Sequence, residues 1–148
     1  MFNVKFETTN GKTLDEIRSF QLAHEILFPS DYVYSLLHYN EFILADDQYG
    51  AIFSENNEEL SGLSSPIFSL EDFSRVNFEW TDEMKTYYNF STSQYFFIGD
   101  LHFNGALLIG NTSKNSNKIY VDLPQSHNEV IEVAKNFFDF INNEIKIM

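Results

Sequence analysis

The chain has 148 residues, of which 43% are hydrophobic and 17% aromatic, which is enough for one packed core and too much for wholesale disorder. It contains no cysteine, and this excludes disulfides, thiolate nucleophiles and cysteine-based zinc sites. Its net charge of −13 disfavours direct binding to the phosphate backbone of a nucleic acid.

The first part of the chain predicts a strand and two helices. Residues 1–12 are expected to form an extra N-terminal strand and a turn, because apolar and polar residues alternate before the turn-forming pair Asn10-Gly11. Thr13 and Glu16 have the spacing of a capping box at the start of the first helix. Pro29 ends that helix and begins a second one, since the first helical turn tolerates the missing N–H of proline.

The middle of the chain predicts two strands and a short helix. The strands are expected at 42–45 and 49–53. Residues 54–66 are polar, acidic and rich in serine, and they predict a loop. Ser69, with Asp72 three positions later, is expected to cap a short helix over 70–76.

The C-terminal third predicts three strands and a long final helix. The strands are expected at 95–98, 106–109 and 118–123. Ser126 and Glu129 have capping-box spacing, and apolar residues then recur at helical spacing from Val130 to Ile145. The predicted fold class is therefore α+β: a single domain over 1–148, with a mixed or mostly antiparallel sheet packed by helices and a long C-terminal helix.

Two pairs of polar residues are weak candidates for chemistry. Asp100 and His102 could act together in acid–base catalysis, and Asp46-Asp47 could bind a hard cation. Neither pair has the additional partners that a catalytic or metal site requires, so a hairpin loop and a solvated turn are the favoured interpretations. No catalytic residue, metal site or cofactor is therefore predicted, and the chain is not expected to be an enzyme.

The chain is also expected to be soluble and cytoplasmic. Its N-terminus lacks the apolar segment of a signal peptide, and it has no run of about 18 apolar residues that could cross a membrane. Between Arg18 and Arg75 there is no lysine or arginine, although the segment contains many carboxylates. Such a surface attracts a basic partner.

Short motifs occur in one particular order over residues 13–145. They are Phe28-Pro29-Ser30-Asp31-Tyr32, Asn40, Ser69-Leu70-Glu71-Asp72-Phe73, Ile98-Gly99, Ile119-Tyr120 and Phe137-Phe138-Asp139-Phe140-Ile141. This order resembles the SUKH superfamily. Its bacterial members are mostly immunity proteins that neutralise toxins, often nucleases, by binding them, and other members are fungal regulators of cell-wall synthesis and signalling.

The resemblance implies a non-catalytic SUKH-like immunity protein that binds a cognate toxin domain with a basic surface. A regulatory protein-interaction scaffold is the alternative, and a small hydrolase using Asp100, His102 or the Asp46-Asp47 pair is less favoured. The oligomeric state stays open. The acidic residues predicted to contact the partner are Asp46, Asp47, Glu55, Glu58, Glu59, Glu71 and Asp72. For each of them, a solvated side chain without a binding role is the competing interpretation.

Overall fold

The computed structural model describes residues 11–39, 50–54, 58–64, 67–80, 86–127 and 129–147. Within these residues the chain forms four helices and two antiparallel sheets, so the predicted α+β class is confirmed. The strand predicted before Asn10 and the strand predicted at 42–45 lie outside the described residues. None of the helices that the structure describes is long and apolar enough to span a bilayer.

The first two helices begin where the sequence predicts. Helix α1 spans Leu14–His24, and its predicted capping box is confirmed, because Thr13 and Glu16 each accept the other's backbone N–H at 3.1 Å. The helix ends at Glu25, which adopts the left-handed conformation with φ of 54°. Helix α2 spans Ser30–Tyr39 and starts directly after Pro29.

The third helix also follows its prediction. Helix α3 spans Leu70–Phe78, two residues longer than expected, and the Ser69 hydroxyl accepts the Asp72 N–H at 3.2 Å. Leu70, Phe73 and Val76 recur at helical spacing and are all buried. The helix therefore has one apolar face, which packs against the core.

The strands form two sheets. A three-stranded sheet has the order β2-β1-β7, and a four-stranded sheet has the order β3-β4-β5-β6. The strands are β1 (Gly50–Phe53), β2 (Glu59–Gly62), β3 (Tyr95–Leu101), β4 (Gly105–Gly110), β5 (Ile119–Asp122), β6 (Ile131–Ala134) and β7 (Ile145–Ile147). The expected strands at β1, β3, β4 and β5 are confirmed. The loop predicted over 54–66 is wrong in part, since β2 pairs with β1 there.

The predicted long C-terminal helix is wrong. Residues 131–134 form β6, helix α4 (Phe137–Asp139) runs into a π-helix (Phe140–Glu144), and the chain then enters β7. The final helix is thus only 8 residues long. Ser126, the expected helix cap, lies instead in a turn that its N–H closes by bonding the Leu123 carbonyl. The apolar residues of this segment fit both the spacing of a helix and the alternation of a strand. Strand structure forms at β6 and β7 because these segments pair with β5 and β1.

In the core, α2 packs against α4. Tyr32 of α2 packs edge-on against Phe137 with ring centroids 5.3 Å apart, and burial raises the pKa of its phenol. The neighbouring Asp31 carboxylate is 8% exposed, and it accepts hydrogen bonds from the Asn117 amide at 2.6 Å and from the Phe138 N–H at 3.3 Å. These contacts fix α4 against α2, and a buried carboxylate that keeps such partners avoids the cost of an unpaired charge.

Candidate protein-binding surfaces

The acidic residues predicted to contact a partner fall in different places. Asp46, Asp47 and Glu55 lie outside the described residues. Glu58 and Glu59 are exposed at the start of β2, whereas Glu71 and Asp72 lie in the first turn of α3. The two pairs thus lie on different elements, β2 and α3, and we describe them as two candidate surfaces.

Lys12 connects α1 to α3. Its ammonium nitrogen lies 2.5 Å from Glu71 Oε1 and 3.7 Å from Glu16 Oε2. Its backbone N–H donates to the Leu36 carbonyl at 2.8 Å, which fixes the residue against the end of α2. The hydrogen bond to Glu71 raises the pKa of Lys12 and lowers the pKa of Glu71. The charge of Glu71 is therefore partly neutralised inside the molecule.

A groove of about 590 Å³ lies between α1 and α3. We call it the α1–α3 groove; its lining residues are Lys12, Glu16, Ser19, Phe20, His24, Leu70, Glu71, Ser74 and Glu79. The His24 ring stacks on Phe78 with centroids 4.1 Å apart and an angle of 4° between the planes. The groove contains three carboxylates and one ammonium group, so its formal charge favours a basic ligand.

Asp72 is a weaker part of this surface. Its carboxylate lies 3.5 Å from the Arg75 guanidinium, one turn further along α3, and both side chains are largely exposed. Exposed ion pairs of this kind contribute from almost nothing to about 1 kcal/mol, since water screens both charges. Arg75 can therefore turn away from Asp72 at little cost when a partner approaches.

The second acidic pair lies beside the connection between β3 and β4. The Ser61 hydroxyl donates to the His102 carbonyl at 3.4 Å, and Leu63 forms an isolated bridge with Leu101. These contacts hold β2 against the end of β3. Glu59 lies two residues before Ser61 and is therefore near the residues that connect β3 with β4.

The candidates for acid–base chemistry lie at the same place. Asp100 is in β3, His102 is the first residue after that strand, and both are half-buried. Among the residues that the structure describes, no group of three or more histidine and carboxylate side chains could hold a metal ion. The hydrolase and cation alternatives stay predictions, since Asp46 and Asp47 are not described.

Two aromatic features were missed by the sequence reasoning. One is the stack of His24 on Phe78, which depends on the packing of α1 against α3 and has no local signal. The other is Phe103, whose side chain is 81% exposed between β3 and β4. Its position between two β-rich runs, directly before Asn104-Gly105, would have marked a turn that carries a large apolar residue.

The motifs that carry the family resemblance lie mainly in the core. Phe28, Tyr32, Ile98, Ile119 and Phe137 are all no more than 4% exposed. Their order along the chain therefore reflects the packing of one fold. It does not mark a catalytic or binding site, because residues in the core are selected chiefly for how they pack.

These features define an α+β domain with two acidic candidate surfaces for a protein partner. A family model described as the SMI1 / KNR4 family (SUKH-1) matches residues 11–143, and the chain belongs to this family. The resemblance to the SUKH superfamily is thereby confirmed. Membership suggests a function of the immunity-protein type, exercised on a protein partner. No individually curated protein matches the chain.

Proposed function

We propose that the chain is a non-catalytic cytoplasmic immunity protein that binds a cognate bacterial toxin and neutralises it. The family match over residues 11–143 carries this proposal. The net charge of −13 supports it and suggests that the toxin domain has a basic surface, as in a nuclease. Opposite charge speeds the encounter of two proteins and restricts which partners bind.

The two described acidic pairs differ in what they offer such a toxin. Glu59 is exposed on β2, whereas Glu71, in the first turn of α3, forms an ion pair with Lys12. A basic partner at α3 must compete with Lys12 for the carboxylate, while a partner at β2 meets no such competitor among the described ion pairs. We therefore expect Glu58 and Glu59 to contribute more to binding than Glu71 and Asp72.

Co-production of the chain with the toxin domain encoded beside its gene tests the proposal. The chain should restore growth of a bacterial host that produces the toxin domain, and the two purified proteins should form a complex. The association rate should fall as salt is added, because salt screens the attraction between exposed charges. Absence of both complex and rescue would refute the proposed function.

A pair of charge reversals separates a local contact from net charge. Glu59→Lys and Glu129→Lys alter the charge of the chain equally, and both residues are exposed. We expect Glu59→Lys to weaken binding about tenfold or more, and Glu129→Lys to weaken it by no more than about threefold. Equal effects would show that only the overall charge matters and that β2 is not a contact.

The regulatory scaffold remains the second candidate. It shares the binding of a protein partner with the first candidate but predicts no protection against a toxin. The growth assay therefore distinguishes the two functions, since a scaffold would bind a signalling protein and leave the toxin active.

A further inference from the structure

The turn between β3 and β4 carries an exposed aromatic ring in a backbone conformation that disfavours it. The turn spans His102–Gly105 and is closed by a hydrogen bond from the Gly105 N–H to the His102 carbonyl. Both central residues have positive φ, 59° at Phe103 and 57° at Asn104. Phe103 is 81% exposed, so its ring gains little from packing within the chain.

This geometry is that of a type I′ turn, which usually has Asn-Gly at its centre. In the left-handed conformation the Cβ atom comes too close to the backbone, and a bulky residue is therefore rare there. Asparagine or glycine at position 103 would suit the turn better. The fold itself thus gives no reason for Phe103, and a strained, exposed residue of this kind points to a function.

One hydrogen bond reaches the turn itself, and a second set fixes the chain segment beside it. Ser61 of β2 donates to the His102 carbonyl. The fully buried Asp122 carboxylate accepts the N–H groups of Asn89 and Phe90 at 2.7 and 2.9 Å. These bonds fix residues 89 and 90, which directly follow Tyr87 and Tyr88, and those two tyrosines line a depression together with Asn104 of the turn.

Two depressions flank the turn. One, of about 300 Å³, is lined by Trp80, Tyr87, Tyr88 and Asn104. The other, of about 220 Å³, is lined in part by Leu60, Phe103 and Leu123. We call Phe103 and the two depressions the tip surface. A protruding aromatic ring with aromatic and aliphatic neighbours has the composition of an energetic hot spot in a protein interface.

The charges near the tip surface indicate the chemistry of its partner. Glu58 and Glu59 precede Leu60 directly, and Asp100 is close enough to contribute to the raised pKa of Tyr88, after burial of that phenol. No lysine or arginine is among the described residues that line the two depressions. The negative charge comes from these carboxylates next to the depressions, and it favours a basic protein over nucleic acids and anionic membranes.

We propose that the tip surface docks a basic protein by inserting the Phe103 ring into an apolar pocket of that protein, while Glu58 and Glu59 face ammonium or guanidinium groups around the pocket. The inference rests on the proposed function in one respect, since a toxin domain would be such a protein. It goes beyond the proposed function by assigning Phe103 as an apolar contact to the toxin, in addition to the attraction between opposite charges.

The first test uses the toxin domain encoded beside the gene and isothermal titration calorimetry. Phe103→Ala should weaken binding about tenfold or more, as expected for a hot-spot aromatic. Leu27→Ala is the matched control, because Leu27 is 84% exposed but lies between α1 and α2. It should change the affinity by less than about twofold. Phe103→Asn should weaken binding as strongly while raising the midpoint of thermal unfolding, because asparagine tolerates the left-handed conformation. A residue with only a structural role would not give loss of binding together with a gain in stability.

The second test does not depend on the toxin. A photo-crosslinking amino acid is placed at position 103 or at position 27 of the full chain in its native host. Crosslinking at 103 alone to one basic protein, whose purified form then binds Phe103→Ala about tenfold more weakly, supports the inference even if the toxin does not bind.

The outcomes distinguish the two proposals. Toxin binding that is insensitive to Phe103→Ala leaves the immunity function intact and overturns the role of the tip surface. Absence of any Phe103-dependent basic protein in both tests also overturns it. Binding of the wild-type chain, but not of Phe103→Ala, to phosphatidylcholine vesicles would show that the ring enters a membrane and would equally overturn it.

Discussion

The α1–α3 groove and the tip surface are both candidate binding surfaces, but they are built in opposite ways. In the groove, Lys12 pairs with Glu16 and Glu71, so two of the groove's three carboxylates already have a cationic partner within the molecule. At the tip surface, the ring of Phe103 extends into solvent from a turn that would prefer another residue. The ion pairs of the groove therefore stabilise the folded chain, whereas the positive φ of Phe103 lowers its stability.

The difference indicates which surface is more closely adapted to a partner. Contacts that stabilise the folded chain need no further explanation, and those of the groove are of this kind. A feature that lowers stability needs a compensating role, and Phe103 is of this kind. Long-range bonds occur at both surfaces: the Asn89 N–H donates to Asp122 and the Ser61 hydroxyl to the His102 carbonyl near the tip surface, whereas Lys12 donates to Glu71 in the groove.

Removal of the buried Asp122 carboxylate should have the largest effect on this comparison. Asp122→Ala leaves the N–H groups of Asn89 and Phe90 without their acceptor. We expect the free energy of unfolding to fall by about 3 kcal/mol, because these are hydrogen bonds to a charged and fully buried group. Urea denaturation measures this change, and hydrogen exchange should show faster exchange at residues 87–90.

Asp15→Ala is the control for this substitution, since Asp15 is exposed in the first turn of α1. It should lower stability by less than about 1 kcal/mol. Equal destabilisation by the two substitutions would mean that Asp122 does not hold the segment next to the tip surface. The turn would then owe its geometry to β2 and to its own sequence.

Gly11→Ala should disturb the groove to an intermediate extent. A Cβ atom at Gly11 would lie 1.8 Å from the Leu37 carbonyl oxygen, so the segment before α1 must move away from α2. The movement also displaces Lys12, whose N–H bonds the Leu36 carbonyl. We expect a loss of about 2 kcal/mol in thermal or urea unfolding, within the range for an overpacked contact.

Gly99→Ala provides a comparison at a buried glycine. The added Cβ atom would lie 3.4 Å from the Leu107 side chain, at the edge of ordinary van der Waals contact. The loss should therefore be smaller than at Gly11. If Gly11→Ala proves harmless, the segment around Lys12 is not held by close approach to α2, and the contrast between groove and turn weakens.

The groove was more predictable from the sequence than the tip surface, for a physical reason. The caps at Thr13 and Ser69 and the break at Pro29 depend on neighbouring residues, and the sequence patterns identified all three correctly. The acidic character of Glu71 and Asp72 is visible in the sequence, but the pairing of Glu71 with Lys12 across 59 residues has no local signal. Ion pairs between segments need the packing of helices, which a local pattern does not contain.

The errors share one cause, which is pairing between distant strands. Residues 131–147 have apolar positions that suit a helix and also alternate locally, and β5 and β1 determine the outcome. In the same way β2 lies within a polar and acidic segment that predicts a loop, yet it pairs with β1. The position of Phe103 next to Leu60 depends on this pairing, so the tip surface could not be assembled from the sequence alone.

Neutralising Glu71 should have the smallest effect and should depend on pH. Because Lys12 lowers the pKa of Glu71 below its ordinary value of 4.5, the pair stabilises the fold above that value and the contribution is lost as pH falls through the lowered pKa. Glu71→Gln should cost no more than about 0.5 kcal/mol at neutral pH, since both side chains meet water, and nothing in strong acid. Urea unfolding over a pH series measures this difference, with the exposed Glu129→Gln as a variant that should follow the wild type throughout. A loss that persists in acid would show that Glu71 acts through packing and that the groove is not held by its charges.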